Sequence, residues 1–279
     1  MKIGFLTVPM RDRSLRDVFR FAETTGFDSL EIWTGRGAGH LDVNKDLSKQ
    51  AREVLRLVEQ HAIEISSLAY YHNVSAADPA ERAAIQKGFR RAVDLAQMLD
   101  VRVVCCLAGL PLLGKSKSET LQKVVAPFYR KLCPYAAKKG VTLAMENWFA
   151  TNIQHLGLWE EAFALVPNKN FGLNYDPSHL FWQQIDHIKA VEQFASRIFH
   201  SHGKDCEIRV AERARVGVLE GGWWRYVIPG HGEINWGAYI GALRRVGYNG
   251  VISIEHEDRT FNAEEGFRKG LQFLRQFTA

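Results

Sequence analysis

The sequence predicts a single (β/α)8 TIM barrel, and three observations lead to this fold class. Short runs of β-branched and apolar residues alternate with longer amphipathic stretches along the whole chain. Eight such pairs follow one another without a composition break, a Gly/Ser linker or a low-complexity tract, which is the pattern of an α/β domain. The length of 279 residues suits a barrel, which typically takes about 250 residues.

The predicted strands are nearly continuous in apolar residues, as is typical of parallel strands that are buried on both faces. An open doubly wound sheet is disfavoured, because the first strand is followed by LTVPMRDRS and not by a glycine-rich phosphate loop. The strands are predicted at residues 2–8, 29–35, 63–71, 101–109, 141–147, 170–176, 198–203 and 251–257.

The amphipathic stretches carry the end signals of helices. Gly26 closes the first stretch, and Pro79 lies in the first turn of the third. Pro127 and Pro134 are expected to break or kink the fourth. The helices are predicted at residues 15–26, 47–61, 79–100, 118–140, 157–166, 187–197, 236–247 and 263–277.

The chain is predicted to form one domain over residues 1–279, with an extended loop at about 205–233 after the seventh strand. The net charge of +5 comes from basic residues interspersed with acids, which indicates a solvated surface and no nucleic-acid partner. No apolar run approaches the ~20 residues of a membrane span, and the N-terminal run is too short for a secretory signal. We therefore expect a cytoplasmic protein with a small-molecule partner, and leave open whether it forms a homo-oligomer or a hetero-oligomer.

Polar side chains close each of the last four predicted strands. The βα loops of a TIM barrel meet at these carboxyl ends, where the chemistry takes place. Carboxylates with a histidine form an oxygen-rich set that suits Mn²⁺, Mg²⁺ or Co²⁺ better than a closed structural zinc site. The strand ends carry, in chain order, Glu146, then Asp176 and His179, then His200, His202, Lys204 and Asp205, then Glu255, His256, Glu257 and Asp258.

Two histidines, His200 and His202, are separated by one residue in FHSHGKD. In a strand, residues two apart point to the same face. The spacing therefore places both inside the barrel, and leaves open which one belongs to a site and which one is an ordinary core histidine.

The ordered set of strand-end motifs resembles the sugar isomerase/epimerase superfamily with a xylose-isomerase-like barrel. Members carry a Glu at the end of strand five, a D.sH turn, an H.KD strand end, a pG.G.idw turn and a terminal siE. This chain has Glu146, DPSH at 176–179, HGKD at 202–205, PGHGEINW at 229–236 and SIE ending at Glu255. The resemblance covers nearly the whole chain.

The resemblance implies one divalent metal ion, Mn²⁺ before Mg²⁺ or Co²⁺, bound by Glu146, Asp176, His202 and Glu255. It also implies that Glu146 and Glu255 are an acid/base pair on opposite faces of the substrate. One removes a proton next to a carbonyl, the metal stabilises the enediolate, and the other glutamate returns the proton. The predicted function is thus a sugar or keto-sugar isomerase or epimerase. His200 is then either a hydrogen-bond partner of a ligand or a satisfied core histidine.

Further residues near the strand ends are predicted to contact a sugar or glycoside. Ketose 3-epimerases tend to carry another carboxylate shortly after the strand-five Glu, whereas ENWFATN offers Trp148 and Asn152 there. Tryptophans suit stacking on a sugar ring or aglycone, although the Trp223–Trp224 loop could equally pack as a lid or a subunit interface. The predicted substrate contacts are His179, His72, Lys204, Asp205, Trp33, Trp148, Trp224 and Arg225.

Three alternatives share this barrel. A 3-keto-glycoside lyase would use the same proton abstraction for elimination, with His72 or His179 as the acid for the leaving group. An endonuclease IV-like nuclease is more remote, because GHG at 230–232 stands where an Asp-x-His pair is expected. A barrel that only binds its ligand is disfavoured, because both glutamates are present.

Overall fold

A closed eight-stranded parallel barrel forms the centre of the structure, a computed structural model that describes residues 1–278. Each barrel strand pairs in parallel with the next, and the first strand pairs with both the second and the eighth. The predicted (β/α)8 fold is confirmed. The strands are β1 (Lys2–Leu6), β2 (Ser29–Gly35), β3 (Glu64–Tyr70), β4 (Val103–Leu107), β5 (Thr142–Glu146), β6 (Phe171–Tyr175), β7 (Ile198–Gly203) and β8 (Val251–Ile254).

Helices cover the outside of the barrel. The side chains of Ser14, Asp46 and Asp78 cap the first three long helices by accepting a backbone N–H hydrogen bond. No helix within residues 1–278 is long and apolar enough to cross a membrane. The helices that alternate with the barrel strands are Leu15–Thr25, Leu47–His61, Pro79–Met98, Ala126–Ala137, Leu156–Leu165, His187–Gln193, Trp236–Arg245 and Ala263–Thr278. The additional helical segments are Val8–Met10, Lys117–Thr120, Leu121–Val125, Ser178–Phe181, Ala195–Arg197 and Val210–Val216.

The fourth predicted helix is widened locally and is not broken. A π-helical turn, Leu121–Val125, joins the short helix Lys117–Thr120 to the helix Ala126–Ala137. Proline lacks an N–H group and crowds the carbonyl four residues earlier, so the wider turn just before Pro127 relieves that contact. The helix continues across Pro134.

The segment after β7 forms an arm, residues 205–227, where the sequence predicts an extended loop. Its strands Asp205–Ile208 and Trp224–Val227 pair in antiparallel fashion, and the helix Val210–Val216 lies between them. Hydrogen bonding in a two-stranded ribbon holds both strands in fixed register, so the arm presents defined side chains to the mouth of the barrel.

Asp205 fixes the base of the arm. Its buried carboxylate accepts hydrogen bonds from the backbone N–H groups of Cys206, Gly230 and Ile234 and from the indole of Trp236, at 2.8–3.0 Å. A Cβ atom at Gly232 would overlap this carboxylate, which explains the second glycine of PGHGEINW. With its four hydrogen bonds inside the protein, Asp205 organises the loop that carries the arm.

Candidate active site and metal centre

Four side chains from consecutive strands meet at the carboxyl end of the barrel. Glu146 is the last residue of β5, Asp176 directly follows β6, His202 lies in β7 and Glu255 directly follows β8. One potential ligand atom from each lies within 4.8 Å of the others. The structure therefore brings together the four residues that the sequence suggested as metal ligands.

Two buried polar atoms of this cluster form no well-aligned hydrogen bond, although charged groups lie close to both. They are Asp176 Oδ2 and His202 Nδ1. Asp176 Oδ1 accepts from the N–H and hydroxyl groups of Ser178 at 2.8 and 2.6 Å, so only Oδ2 faces the cluster. His202 Nδ1 lies 3.1 Å from Glu255 Oε2 and 3.6 Å from Glu146 Oε1. Buried polar atoms are costly without a partner, so this donor set fits a bound divalent cation.

Lys204 is the cation that the chain itself supplies at this site. Its buried ammonium Nζ lies 2.6 Å from Glu255 Oε2, 3.1 Å from Asp176 Oδ2 and 3.8 Å from Glu146 Oε1. Glu257 Oε2 lies 3.6 Å away on the outer side. Burial works against a charged lysine, but these four carboxylates raise its pKa well above the usual range. The four carboxylates carry more negative charge than one ammonium group can neutralise. A divalent cation would offset the excess.

The carboxylates of Glu146 and Asp176 are held in the ionised form. Burial alone would raise the pKa of both groups. For Glu146, hydrogen bonding to His179 and His202 and the charge of Lys204 outweigh burial and lower the pKa. For Asp176, the charges of Lys204 and His179 have the same effect. Ionised carboxylates are the state that both metal binding and proton abstraction require.

Behind His202 lies a buried polar network that the sequence analysis missed. Glu31 Oε2 accepts a hydrogen bond from His202 Nε2 at 3.2 Å, and Glu31 Oε1 accepts from the Tyr71 hydroxyl at 2.6 Å. The side-chain amide of Asn174 lies 2.9 Å from the same His202 nitrogen. A carboxylate on the far nitrogen of a ligating histidine sets the ring orientation. The available signal was Glu31 itself, an acidic residue inside the apolar strand SLEIWTG.

His200 lies one layer deeper than His202, on the inner face that the strand periodicity predicts for both. Its Nδ1 lies 3.0 Å from Asn174 Oδ1, and its Nε2 lies 3.3 Å from Ser66 Oγ. Burial lowers the pKa of His200 to about 4, against the opposing charge of Glu31. Both ring nitrogens of His200 therefore have polar partners, and its ring packs edge-on against that of His202 at 6.1 Å.

His179 connects the cluster to the arm. Its Nε2 lies 3.2 Å from Glu146 Oε1 and 3.3 Å from Lys204 Nζ, while its Nδ1 lies 2.6 Å from the hydroxyl of Tyr226. Tyr226 also covers Lys204, whose ammonium lies 4.5 Å from the centre of the tyrosine ring. Sequence reasoning did not single out Tyr226, because it is 47 residues from His179 and only the hairpin register brings the two together.

An outer cavity of about 920 Å³ lies beside this cluster, between the arm and the loops after β5 and β8. Trp224 of the arm stacks on Trp182 at 4.4 Å, and Phe149 packs edge-on against both rings. Sequence reasoning missed Phe149 and Trp182. The cavity is lined by Trp148, Phe149, Arg209, Trp224, Arg225, Tyr226, Glu257, Arg259 and Thr260, and thus includes three of the predicted substrate contacts.

Besides Asp205, whose carboxylate is hydrogen-bonded within the base of the arm, two predicted substrate contacts lie apart from this cavity. The ring of His72 packs on Tyr70 at 4.5 Å, and Trp33 packs edge-on against His40 at 6.2 Å. Neither residue lines the cavity. Burial lowers the pKa of His72, so its ring is neutral at pH 7.

Comparison with known proteins places the chain among enzymes of this fold. A family model described as xylose isomerase-like TIM barrel matches residues 19–277. The uncharacterized protein YfiH of Bacillus subtilis (strain 168) is 28% identical over 99% of each chain. An inosose isomerase of Bacillus velezensis is 26% identical over 88% of this chain and 84% of the relative. Other homologues are named inosose dehydratase, L-ribulose 3-epimerase and 3-dehydroshikimate dehydratase.

The fold is also shared with solved structures. The IOLI protein with a binding zinc atom has a TM-score of 0.78 and 21% sequence identity, covering 100% of this chain and 98% of the other. At this identity the comparison shows a common fold.

Proposed function

The chain belongs to the xylose isomerase-like TIM barrel family, and we propose that it is a divalent-metal-dependent isomerase or epimerase of a keto-sugar or keto-cyclitol. The observation that carries the proposal is the convergence of Glu146, Asp176, His202 and Glu255 within 4.8 Å. The two buried atoms among them that form no well-aligned hydrogen bond and the excess of carboxylates over cations support a bound metal ion. Three carboxylates and one imidazole suit Mn²⁺.

The two glutamates are proposed as the acid/base pair. Glu146 ends β5 and Glu255 directly follows β8, so their carboxylates approach the centre from different sides of the barrel. When bound, the metal ion would stabilise negative charge that develops on a substrate carbonyl oxygen. One ionised glutamate would take the proton from the carbon beside that carbonyl, and the other, protonated beforehand from solvent, would deliver its proton to the opposite face of the same carbon.

Lys204 and His179 are proposed to hold substrate oxygens beside the pair. Their side-chain nitrogens lie 3.3 Å apart, and each lies near Glu146. A hydroxyl placed between them would have hydrogen-bond donors on two sides. Both side chains are buried, and hydrogen bonds to an oxygen that gains charge are stronger where water is excluded.

A dehydratase or 3-keto-glycoside lyase is the second candidate. The same proton abstraction leads to elimination when a hydroxyl or a glycosidic oxygen departs from the next carbon, and that oxygen needs an acid. Lys204 and His179 are close enough to Glu146 to protonate that departing oxygen. Several homologues are named as dehydratases, which supports elimination as the second candidate reaction.

Proton NMR in D₂O tests the proposal. The protein is loaded with Mn²⁺, incubated with ketoses, inososes and 3-keto-glycosides, and passed through a chelating resin before spectra are recorded. Deuterium incorporation next to the carbonyl, with a new epimer or isomer, supports the first candidate. Loss of water or of an aglycone supports the second. Absence of deuterium exchange across the panel with metal-loaded protein contradicts both.

A further inference from the structure

The outer cavity adjoins the candidate metal centre through two residues that belong to both. Tyr226 lines the cavity and its hydroxyl lies 2.6 Å from His179 Nδ1. Glu257 lines the cavity and lies 3.6 Å from Lys204 Nζ. A substrate whose reacting carbons lie at the metal centre would therefore extend its remaining part into this cavity.

The charges that line the cavity are unbalanced. Arg225 forms ion pairs with Glu207 and with Asp258 Oδ1, the latter at 3.0 Å. The guanidinium groups of Arg209 and Arg259 have no carboxylate within 4.0 Å among residues 1–278, and both side chains are exposed. Glu257 is the single acid of the lining, and it faces Lys204. Two arginines thus stand without counter-charges.

The rest of the cavity lining, apart from Thr260, forms an aromatic wall. Trp148, Phe149, Trp224 and Tyr226 line it, and the stacking of Trp224 on Trp182 holds the arm's aromatic face in place. Whole ligand pockets typically measure about 300–1,000 Å³. The outer cavity alone, at about 920 Å³, thus has room for a substituent larger than one sugar ring.

We infer that the outer cavity binds an anionic substituent of the substrate, a carboxylate or phosphate held by Arg209 and Arg259 against the aromatic wall. Planar guanidinium groups bind both kinds of oxyanion through paired N–H donors. The substrate class becomes an acidic derivative of a keto-sugar or keto-cyclitol. This inference deepens the proposed function and depends on it for the position of the reacting carbons.

Ligand-observed NMR titration with three small probes tests the subsite directly. Benzoate and phenyl phosphate supply the two anionic groups on an aromatic ring, and benzyl alcohol is the neutral comparison. Metal-free protein is used, because anions could otherwise bind a metal ion. We expect at least one anion to bind about tenfold more tightly than benzyl alcohol at low salt, and the stronger anion identifies the group.

Variants of the two cavity arginines test whether these residues cause the preference for anions. Arg209→Met with Arg259→Met should remove the preference for anions, and both positions are exposed, so the fold should be kept. Arg215→Met is the matched control, because Arg215 is an exposed arginine of the same arm that does not line the cavity. Equal affinities for the three probes, or an unchanged preference in the double variant, would overturn the inference. Neither result would alter deuterium exchange at the metal centre, so the two proposals fail separately.

Discussion

Replacement of Glu31 by glutamine tests whether the network behind His202 serves the metal centre. Glu31 has no exposed surface, and its two oxygens accept hydrogen bonds from His202 Nε2 and the Tyr71 hydroxyl. Burial would raise the pKa of Glu31, but the charges of His202 and His200 lower it to about 2. At neutral pH the carboxylate is ionised, so the variant removes one buried negative charge at nearly constant volume.

The expected effect is on metal affinity. Glutamine retains one acceptor oxygen, which can still receive the His202 hydrogen bond at 3.2 Å, but it presents an amide N–H₂ in place of the second oxygen. The variant lacks the negative charge that makes His202 a more basic ligand, and replacement of such a carboxylate partner of a ligating histidine typically lowers metal affinity about 10- to 100-fold, which is about 1.4 to 2.7 kcal/mol. We therefore expect Mn²⁺ affinity to fall within this range.

Competition with a fluorescent chelator at about pH 7.5 measures the affinity, and circular dichroism verifies folding. Glu23→Gln is a matched control, because Glu23 Oε2 pairs with His61 Nδ1 at 2.7 Å on the outside of the barrel. That variant should bind Mn²⁺ like the wild type. A folded Glu31→Gln protein with an Mn²⁺ affinity within twofold of the wild type would refute the role given to Glu31.

Four further predictions concern the cluster itself. Glu146→Gln and Glu255→Gln should each lower turnover at least ~10²-fold, the usual contribution of a general acid or base, and one of them should still exchange the substrate proton in D₂O. Lys204→Met should bind Mn²⁺ at least as tightly as the wild type, because it removes a cation 2.6 Å from Glu255, yet it should lose turnover. His179→Ala should raise KM or lower kcat while metal content stays near one per chain. Mn²⁺ affinity should fall as pH falls, because carboxylates raise the pKa of the buried His202 in the metal-free protein and the metal must displace that proton.

A specific result would contradict each of these four predictions. Full activity in either glutamine variant would contradict the two-glutamate mechanism. If only one of the two variants kept full activity, the result would also favour the lyase. Weaker Mn²⁺ binding by Lys204→Met would show that the ammonium supports the metal site. Loss of stoichiometric metal in His179→Ala, read by atomic absorption, would make His179 a ligand. An Mn²⁺ affinity that is constant between about pH 6 and 8 would contradict displacement of a proton from His202.

The local pattern of residues was sufficient to predict the barrel and the strand ends. Eight apolar runs separated by amphipathic stretches define a parallel barrel, because both strand faces must be buried and each crossover needs a helix. The carboxyl ends of the strands then meet at one rim, so the polar residues at the ends of the last four strands could be grouped before any coordinates. The period of two placed His200 and His202 on the same face, and the family resemblance selected His202 as the ligand and left His200 as the deeper residue.

Only the tertiary structure decided what surrounds that group. Glu31 meets His202 across 171 residues, and Tyr226 meets His179 through the register of a hairpin within a segment that the sequence predicts as a loop. Trp33 and His72, predicted as substrate contacts, lie apart from the cavity that Trp148 and Trp224 line. Strand periodicity determines the face on which a side chain lies. The barrel's stagger and the path of the arm determine which side chains touch, and both arise from packing between distant segments.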